Sequence, residues 1–401
     1  MPEILIIGGG ASGMTAALTA ARKKDNRVTL LERQARVGRK LLSTGNGRCN
    51  LTNTGAAPER YHGGGAAFTA PALAAFGPER ALEFFRSLGL MTIEEYGGRV
   101  FPLSNQAASV VDVLRFALEK GNITVAAGER AERVKRVGGG FEVKPDKGAR
   151  RADKLIVACG GCAGAKLGGV TAGYEILRSL GPRIITQRKA MGPLVPAPTD
   201  HRALKGIRAD AAVRLLVGGA VRAEGEGDLL FADYGVSGTA VFDLARYVPQ
   251  SGGELSIDFF RSCTLAEVTD YLAARRAARP TAPANALFTG ALQTRLGQML
   301  CRSAGISGSR TAGELSPAEL EHLAGRAKDF RLAVISAAGF DAAQVTAGGA
   351  DTAQFDPKTL QSRLVPSLYA CGEVLDIDGD CGGYNLQWAW ASGTLAGRLR
   401  T

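Results

Sequence analysis

The sequence predicts an α/β chain in which a doubly wound, parallel-sheet nucleotide-binding domain is interrupted by an inserted α+β domain. Three observations carry this. An apolar burst at the N-terminus runs straight into a glycine-rich turn, Ile4-Leu5-Ile6-Ile7-Gly8-Gly9-Gly10-Ala11-Ser12-Gly13. A second burst near the C-terminus, Leu368-Tyr369-Ala370-Cys371, ends in Gly372-Glu373 and leads to another glycine turn and a helix. Between them, from about residue 192, the pattern changes to short strands and turns. The expected division is a Rossmann-like domain in two parts, 1–191 and 338–401, around an insertion at 192–337.

The first element is a strand over Pro2–Ile7. The turn follows, then a helix with Met14, Ala17, Leu18 and Ala21 on one face, then a strand ending Leu30-Leu31-Glu32. Gly8 permits the sharp turn, Gly10 lets the backbone approach a pyrophosphate, and Gly13 lets helix and strand pack closely. The helix start, Ala11 and Ser12, offers free N–H groups and a partial positive charge to phosphate. Glu32, 19 residues after Gly13, can accept from ribose hydroxyls, which favours an unphosphorylated 2′-position. The plainer alternative is an ordinary βαβ unit with a glycine turn.

Composition bounds the reading. A chain of 401 residues, 45% hydrophobic and 22% charged, is globular and holds two or three domains' worth of core. Its 53 glycines suit many tight turns and close backbone approaches. Lys and Arg exceed Asp and Glu by 49 − 38 = +11, with no run of like charge. That excess is a solvated basic surface or an attraction for anionic cofactors and acceptors. Nucleic-acid binding finds no module signature beside the charge. The N-terminal apolar run stops at Gly8 without a basic n-region, which predicts a buried strand rather than a signal peptide. No stretch approaches 18 apolar residues, so no membrane span is expected. Seven cysteines without a small-domain framework predict a reducing, cytoplasmic setting.

After Glu32 and Arg33 comes a segment dense in small, amide and hydroxyl side chains: Ser43-Thr44-Gly45-Asn46-Gly47-Arg48-Cys49-Asn50-Leu51-Thr52-Asn53. Hydrophobic packing does not explain it. A path that must donate and accept many hydrogen bonds around a polar ligand does, and a polar surface loop is the alternative. From Gly38-Arg39-Lys40-Leu41-Leu42 to Asn53 the chain resembles the BaiN-type family of FAD-dependent NAD(P)/FAD oxidoreductases. The resemblance continues at the C-terminus and covers nearly the whole chain. It implies a glutathione-reductase-like FAD-binding domain with an inserted domain, a non-covalent FAD, and NAD(P)H-linked reduction of small organic substrates. It places Arg33, Arg39, Lys40, Leu41, Thr44, Gly45, Asn46, Gly47, Arg48, Cys49 and Asn50 around the cofactor.

Helices are expected at Pro71–Phe76, Glu79–Leu88 and Ser109–Lys120. Glu95-Tyr96-Gly97-Gly98-Arg99-Val100-Phe101-Pro102 reads as a turn and short strand, and resembles a family segment that approaches the flavin. Ile123–Val125 is a strand. Arg130–Val137 and Phe141–Val143 read as a hairpin around Gly138-Gly139-Gly140. The resemblance implies that backbone near Val134 meets the adenine. Lys154–Ala158 is a buried strand ending in Cys159-Gly160-Gly161, resembling the turn that meets FAD again. The family more usually has a hydroxyl residue where Cys159 stands. The departure creates Cys159-Gly160-Gly161-Cys162, which is a redox pair, half of a metal site, or two buried thiols. A metal site lacks a second such pair and clustered histidines, and none is expected.

In the insertion, Ala211–Val217 and Ala220–Ala223 should form a hairpin about Gly218-Gly219. Helices are expected at 264–278, 285–304 and Ser316–Ala327, the last capped by Ser316 with Glu319 in the capping-box position. Such a domain suits substrate selection over the flavin face. Relatives often carry a Thr-His pair near the stretch occupied here by Ala232-Asp233 and Thr239, and this chain lacks that histidine. His62, His201 and His322 are scattered and read as surface residues.

The final strand leads through Gly372 and Glu373 to Gly379-Asp380-Cys381-Gly382-Gly383-Tyr384-Asn385-Leu386-Gln387 and a helix to Arg398. Glu373 can hold ribityl hydroxyls. The helix start at Gly383, Tyr384, Asn385 and Leu386, with Asp380 before it, can face a flavin pyrimidine ring and stabilise the negative charge that grows there on reduction. The expected cofactors are FAD and a transient NAD(P)H, since no second GxGxxG is visible. The catalytic acid is not fixed among Tyr96, Cys49, Asp233 and Tyr384. Two other readings stay open: an RNA-interacting or RNA-modifying flavoprotein, from the +11 charge, and a flavin redox sensor using Cys159 and Cys162. The sequence sets no oligomeric state.

Overall fold

The computed structural model describes residues 1–146, 148–197 and 203–400. His201 and Pro198 lie outside the described residues. The chain forms two compact units, Met1–Arg188 with Gln344–Thr401, and Lys189–Ala343.

The first unit is Rossmann-like. Its centre is a five-stranded parallel sheet in the order Leu368–Ala370, Lys154–Val157, Glu3–Ile7, Arg27–Glu32, Ile123–Ala127. The middle strands Glu3–Ile7 and Lys154–Val157 are apolar after their first residue because the helix Ala11–Ala20 and the antiparallel sheet of Ala131–Val137, Gly140–Pro145 and Arg150–Ala152 pack on them. The helices Ala11–Ala20 and Tyr384–Gly397 lie against each other closely enough that a Cβ on Gly393 would overlap the backbone of Ser12. Trp388 and Trp390 are fully buried behind them, and Trp390 meets Phe85 edge-on at 5.0 Å. Two small sheets lie toward the glycine turns. Thr52–Asn53 pairs with Arg99–Pro102, which pairs with Thr92–Glu95, and Tyr61–Gly63 pairs with Ile377–Gly379.

Several elements differ from the sequence reading. The first expected helix begins at Gly65, not Pro71, and carries the proline inside it. A helix can hold proline where the missing N–H costs one bond and neighbouring packing replaces it, so the proline marked no start here. The next helix is Pro78–Ser87, with proline at the position where helices tolerate it best. The hairpin turn is Gly138-Gly139 alone. Gly140 belongs to the strand Gly140–Pro145 and pairs with Val137, and glycine is needed there because a Cβ would press on the Ala152 carbonyl.

The second unit, read by itself, is built on a closed six-stranded barrel, an architecture the sequence did not disclose. Its order is Leu194–Pro196, Gly235–Ser237, Ala220–Ala232, Arg208–Val217, Gly253–Asp258, Phe330–Ala337. Ala211, Val213 and Leu215 alternate into its core with Leu229, Phe231, Leu255 and Ile257. The hairpin turns at Gly218 (φ 61°) and Gly219 (φ 83°), left-handed values that glycine accepts without strain. Helices Leu265–Ala278, Thr294–Ser303 and Pro317–Lys328 pack outside, and Thr264 and Ser316 close capping boxes with Glu267 and Glu319. The expected helix at 285–304 is instead a short 3₁₀ turn, Ala284–Ala286, and a helix starting only at Thr294. Gly290, at φ 96°, breaks the run between them.

Candidate functional site

The first unit gathers polar groups where its strands end. Gly8 takes φ 110°, so a side chain there would be strained and would also strike Ala158. A Cβ on Gly13 would overlap the Gly8 carbonyl. At Gly10 the same direction is open space, the clearance a pyrophosphate needs. Ala11 and Ser12 begin the helix, and the Ser12 hydroxyl reaches the Cys371 carbonyl at 3.5 Å. Glu32 accepts from the Gly9 N–H at 2.8 Å and the Gln34 N–H at 2.7 Å, which fixes its carboxylate beside the turn. Arg33 donates to the Gly168 carbonyl at 3.1 Å, and Arg39 to Lys166 at 3.0 Å. The two arginines therefore hold the 162–168 loop against the end of the second strand.

Lys40 and Glu373, 333 positions apart, form an ion pair at 2.9 Å. The second Glu373 oxygen accepts the Thr346 N–H at 2.8 Å. Gly161 packs on both, since a Cβ there would lie 2.5 Å from Glu373 and from Thr346. Gly372 (φ 76°) sits equally close over Ser12, while Gly160 (φ 71°) faces open space. Val134 is buried on an edge strand, whose outer side has no ladder partner among the described residues.

The polar segment turns through three consecutive left-handed residues, Gly45, Asn46 and Gly47, after Thr44, whose hydroxyl donates to the buried Leu41's carbonyl at 2.7 Å. Arg48 is held rigidly. It pairs with Glu95, donates to Asn105 at 2.7 and 2.9 Å, and lies 4.0 Å from the Phe101 ring centroid. Its guanidinium braces the strand pair Thr92–Pro102. Cys49 is fully buried at φ 62°, and burial pushes its thiol up to about 12 despite help from Thr44. Asn50 points a buried Oδ1 that has no hydrogen-bond partner among the described residues. A Cβ on Gly383 would lie 2.8 Å from that oxygen.

The C-terminal turn meets this segment directly. Asn53 donates to the Gly382 carbonyl at 2.9 Å, Thr52 to Gln387 at 2.7 Å, and Trp390 to the Leu51 carbonyl at 2.8 Å. Asn385 closes the turn by bonding both backbone groups of Gly379 at 2.8 Å. Leu386 packs on the core. Tyr61 donates to the Tyr384 carbonyl at 3.0 Å. Asp380 holds His62 at 2.7 Å and Arg60 at 3.5 Å.

The weak catalytic candidates fare differently. Tyr96 is 88% exposed on the turn between the strands Thr92–Glu95 and Arg99–Pro102. Asp233, in the second unit, is exposed and paired with Lys205 at 2.7 Å. Cys49 keeps its proton. Tyr384 is buried at the helix start. Two contacts at this edge lay beyond sequence reasoning: His62, read as a surface residue and partly exposed, is held by Asp380, and Thr346 meets Glu373 and the Ala163 N–H. The signal for His62 would have been the pairing of Tyr61–Gly63 with Ile377–Gly379, a long-range contact that spacing does not encode. Cys159 and Cys162 form no disulfide. Burial raises both thiols, Cys159 to about 12, which works against the thiolate that exchange needs. Among the described residues no group of three His, Cys, Asp or Glu gathers to hold a metal. No helix among them is long and apolar enough to cross a membrane.

The donor set fits FAD: open glycines and a helix start for phosphates, Glu32 for a ribose, Glu373 for ribityl hydroxyls, and an orphaned Asn50 oxygen beside a second helix start.

Comparison with known proteins agrees in scale. The family model described as HI0933-like protein Rossmann domain matches residues 2–399. A 3-dehydro-bile acid delta(4,6)-reductase of Clostridium scindens is 40% identical over 99% of this chain and 98% of its own. A ribosomal RNA dihydrouridine synthase of Escherichia coli is 30% identical over 97% and 96%. Among solved structures, 3-ketosteroid delta1-dehydrogenase of Sterolibacterium denitrificans superposes with a TM-score of 0.53 at 12% identity, covering 99% of both chains, a likeness of fold.

Proposed function

The chain belongs to the HI0933-like Rossmann family, and we propose that it is an FAD-dependent oxidoreductase that uses NAD(P)H to reduce a carbon–carbon double bond conjugated to a carbonyl. The observation that carries this reading is the joining of two cradles distant in sequence. The Gly8–Gly13 turn with Glu32, and the Gly379–Tyr384 turn with Asn50, are locked together through Lys40–Glu373 and Thr52–Gln387. One cradle suits an ADP moiety and the other a flavin ring.

When bound, FAD would accept a hydride from the nicotinamide and deliver it to the electron-poor carbon of the acceptor. The residues have distinct tasks. The N–H groups from Gly10 to Gly13 and the helix behind them offset phosphate charge. Glu32, fixed by two backbone donors, orients the ribose. Lys40 pairs with Glu373 at 2.9 Å and aims it, so that it accepts from the ribityl chain. The start of Tyr384–Gly397 places a positive helix end where negative charge grows. Asn50 brings an unpaired acceptor to the same place. His62, its Nε2 held on Asp380 at 2.7 Å, leaves its other ring nitrogen, Nδ1, as the donor we assign for the proton that goes to the acceptor's second carbon.

Names of the 40%- and 30%-identical relatives support the acceptor class. A 3-oxo steroid diene and the uracil ring both carry C=C conjugated with C=O. Anaerobic mixing of the purified protein with NADH and with NADPH tests the reading. Bleaching of the oxidised flavin spectrum, and its recovery on adding an enone, is expected. A protein that purifies without flavin and binds none overturns it. With one nicotinamide and one acceptor using a single face, initial-rate plots should be parallel, and intersecting lines would overturn that ordering.

A second reading takes the acceptor to be a pyrimidine base within RNA. The rRNA-modifying relatives, 30% and 28% identical over 97% of this chain, favour it, as does the +11 net charge. Uridine in an RNA oligonucleotide, tested beside a steroid enone as reoxidant of the reduced protein, separates the two.

A further inference from the structure

The basic excess is not shared between the two units. Residues 1–188 and 344–401 hold 32 Lys and Arg against 22 Asp and Glu, or +10. Residues 189–343 hold 17 against 16, or +1. Within the first unit, six cations collect at the end of the sheet away from the glycine turns. Arg22 and Lys23 follow the helix Ala11–Ala20, which runs ten residues, about 15 Å, from the nucleotide turn. Lys154 opens its strand at the same end and donates to the Leu399 carbonyl at 3.0 Å. Arg398 and Arg80 both reach the Ala75 carbonyl at 3.4 Å, and Arg400 follows Leu399.

Among the described residues no carboxylate is held in an ion pair by any of these groups. Glu3 pairs with Arg27 at 3.5 Å, and Asp153 receives the Glu3 N–H. Asp25 and Glu79 are exposed nearby in sequence. Arg22, Lys23, Arg80 and Arg400 are exposed. Burial, then repulsion from Arg400, Arg80 and Arg22, holds the Arg398 pKa below its ordinary value, and burial with Lys23 does the same to Lys154. Like charges kept together without counter-charges destabilise the free protein and suit a polyanion.

This end is too far from the Gly8–Gly13 turn to hold the cofactor's phosphates, and the mechanism above does not use it. We propose that the cationic end formed by Arg22, Lys23, Arg80, Lys154, Arg398 and Arg400 docks the sugar-phosphate backbone of RNA. The inference rests on the second functional reading. Four of the six are arginines, whose planar fork binds phosphate oxygens in pairs. Docking here would leave the opposite edge free to receive a base, and would be independent of sequence.

The test measures binding of a fluorescent fragment of ribosomal RNA by the flavin-loaded protein across a salt series. The triple variant Arg22→Glu, Arg80→Glu, Arg400→Glu is compared with the wild type. Wild-type binding should weaken steeply with salt, and the variant should bind roughly tenfold or more weakly, with a log–log salt slope shallower by about 2–3, at about 0.7–0.9 per lost phosphate contact. Flavin content and bleaching by NAD(P)H should be unchanged, which shows an intact fold. If wild type and variant bind RNA alike, the docking surface is wrong while the RNA reading stands. If the wild type binds no RNA at low salt, both fall and the reductase reading remains. Charge-dependent binding to phosphatidylserine vesicles without RNA binding would overturn the RNA assignment in favour of a membrane surface.

Discussion

Gly10 and Gly13 lie three positions apart and have opposite reasons to be glycine. Beyond the Cα of Gly10 there is open space, so a side chain there disturbs only what enters the cradle. Beyond Gly13 stands the Gly8 carbonyl, so a side chain there disturbs the protein. Gly10→Val should therefore leave apoprotein thermal stability nearly unchanged and weaken FAD binding by roughly tenfold or more, about 1.4 kcal/mol. Gly13→Val should purify without flavin and melt at lower temperature. Flavin-to-protein ratios and melting curves of the two apoproteins check this, and a Gly13→Val protein with stoichiometric flavin contradicts it. These roles were legible from spacing because GxGxxG encodes a local backbone path. The Lys40–Glu373 pair was not legible as a contact, although both residues were flagged separately. Nothing within a few positions of either signals a partner 333 residues away. The His62–Asp380 contact was hidden for the same reason.

Elements were legible where local chemistry decides them. Ser316 and Glu319 show the point, for the capping box sits where the pattern placed it. The Ser316 hydroxyl accepts the Glu319 N–H at 3.3 Å, and Glu319 accepts the Ser316 N–H at 2.8 Å. Arg310, with these bonds, lowers the Glu319 carboxyl to about 2. Ser316→Ala should cost about 1 kcal/mol in denaturant unfolding, with no change in flavin content. A loss of flavin in that variant would contradict the division into two compact units. Elements were misread where tertiary packing decides. The helix around Pro71 survives its proline because its buried face, Phe68, Ala72 and Leu73, belongs to the core. The barrel was hidden because its closing pair, Leu194–Pro196 with Phe330–Ala337, joins segments more than 130 residues apart, and strand pattern alone carries no closure.

At the scale of the molecule, the nucleotide unit is built on groups that must stay neutral. Cys49, Cys159 and Cys371 are each pushed up to about 12 by burial, from an ordinary 9.0. The phenols of Tyr61 and Tyr174 are raised by the same cause. A group whose folded pKa lies above its unfolded value binds its proton more tightly when folded. The stability it contributes is fully present below pH 9 and is lost as pH rises from 9 toward 12. All these groups lie in the first unit, and all act in the same direction. The melting temperature should thus hold near neutrality and fall progressively above pH 9. Cys159→Ala, which removes one such group, should show a shallower fall than wild type. Native Cys49 and Cys159 should resist iodoacetamide at pH 8, while the urea-unfolded chain reacts at once. Rapid labelling of native Cys159 under those conditions would contradict the neutral thiol and restore the redox-sensor reading that the sequence left open.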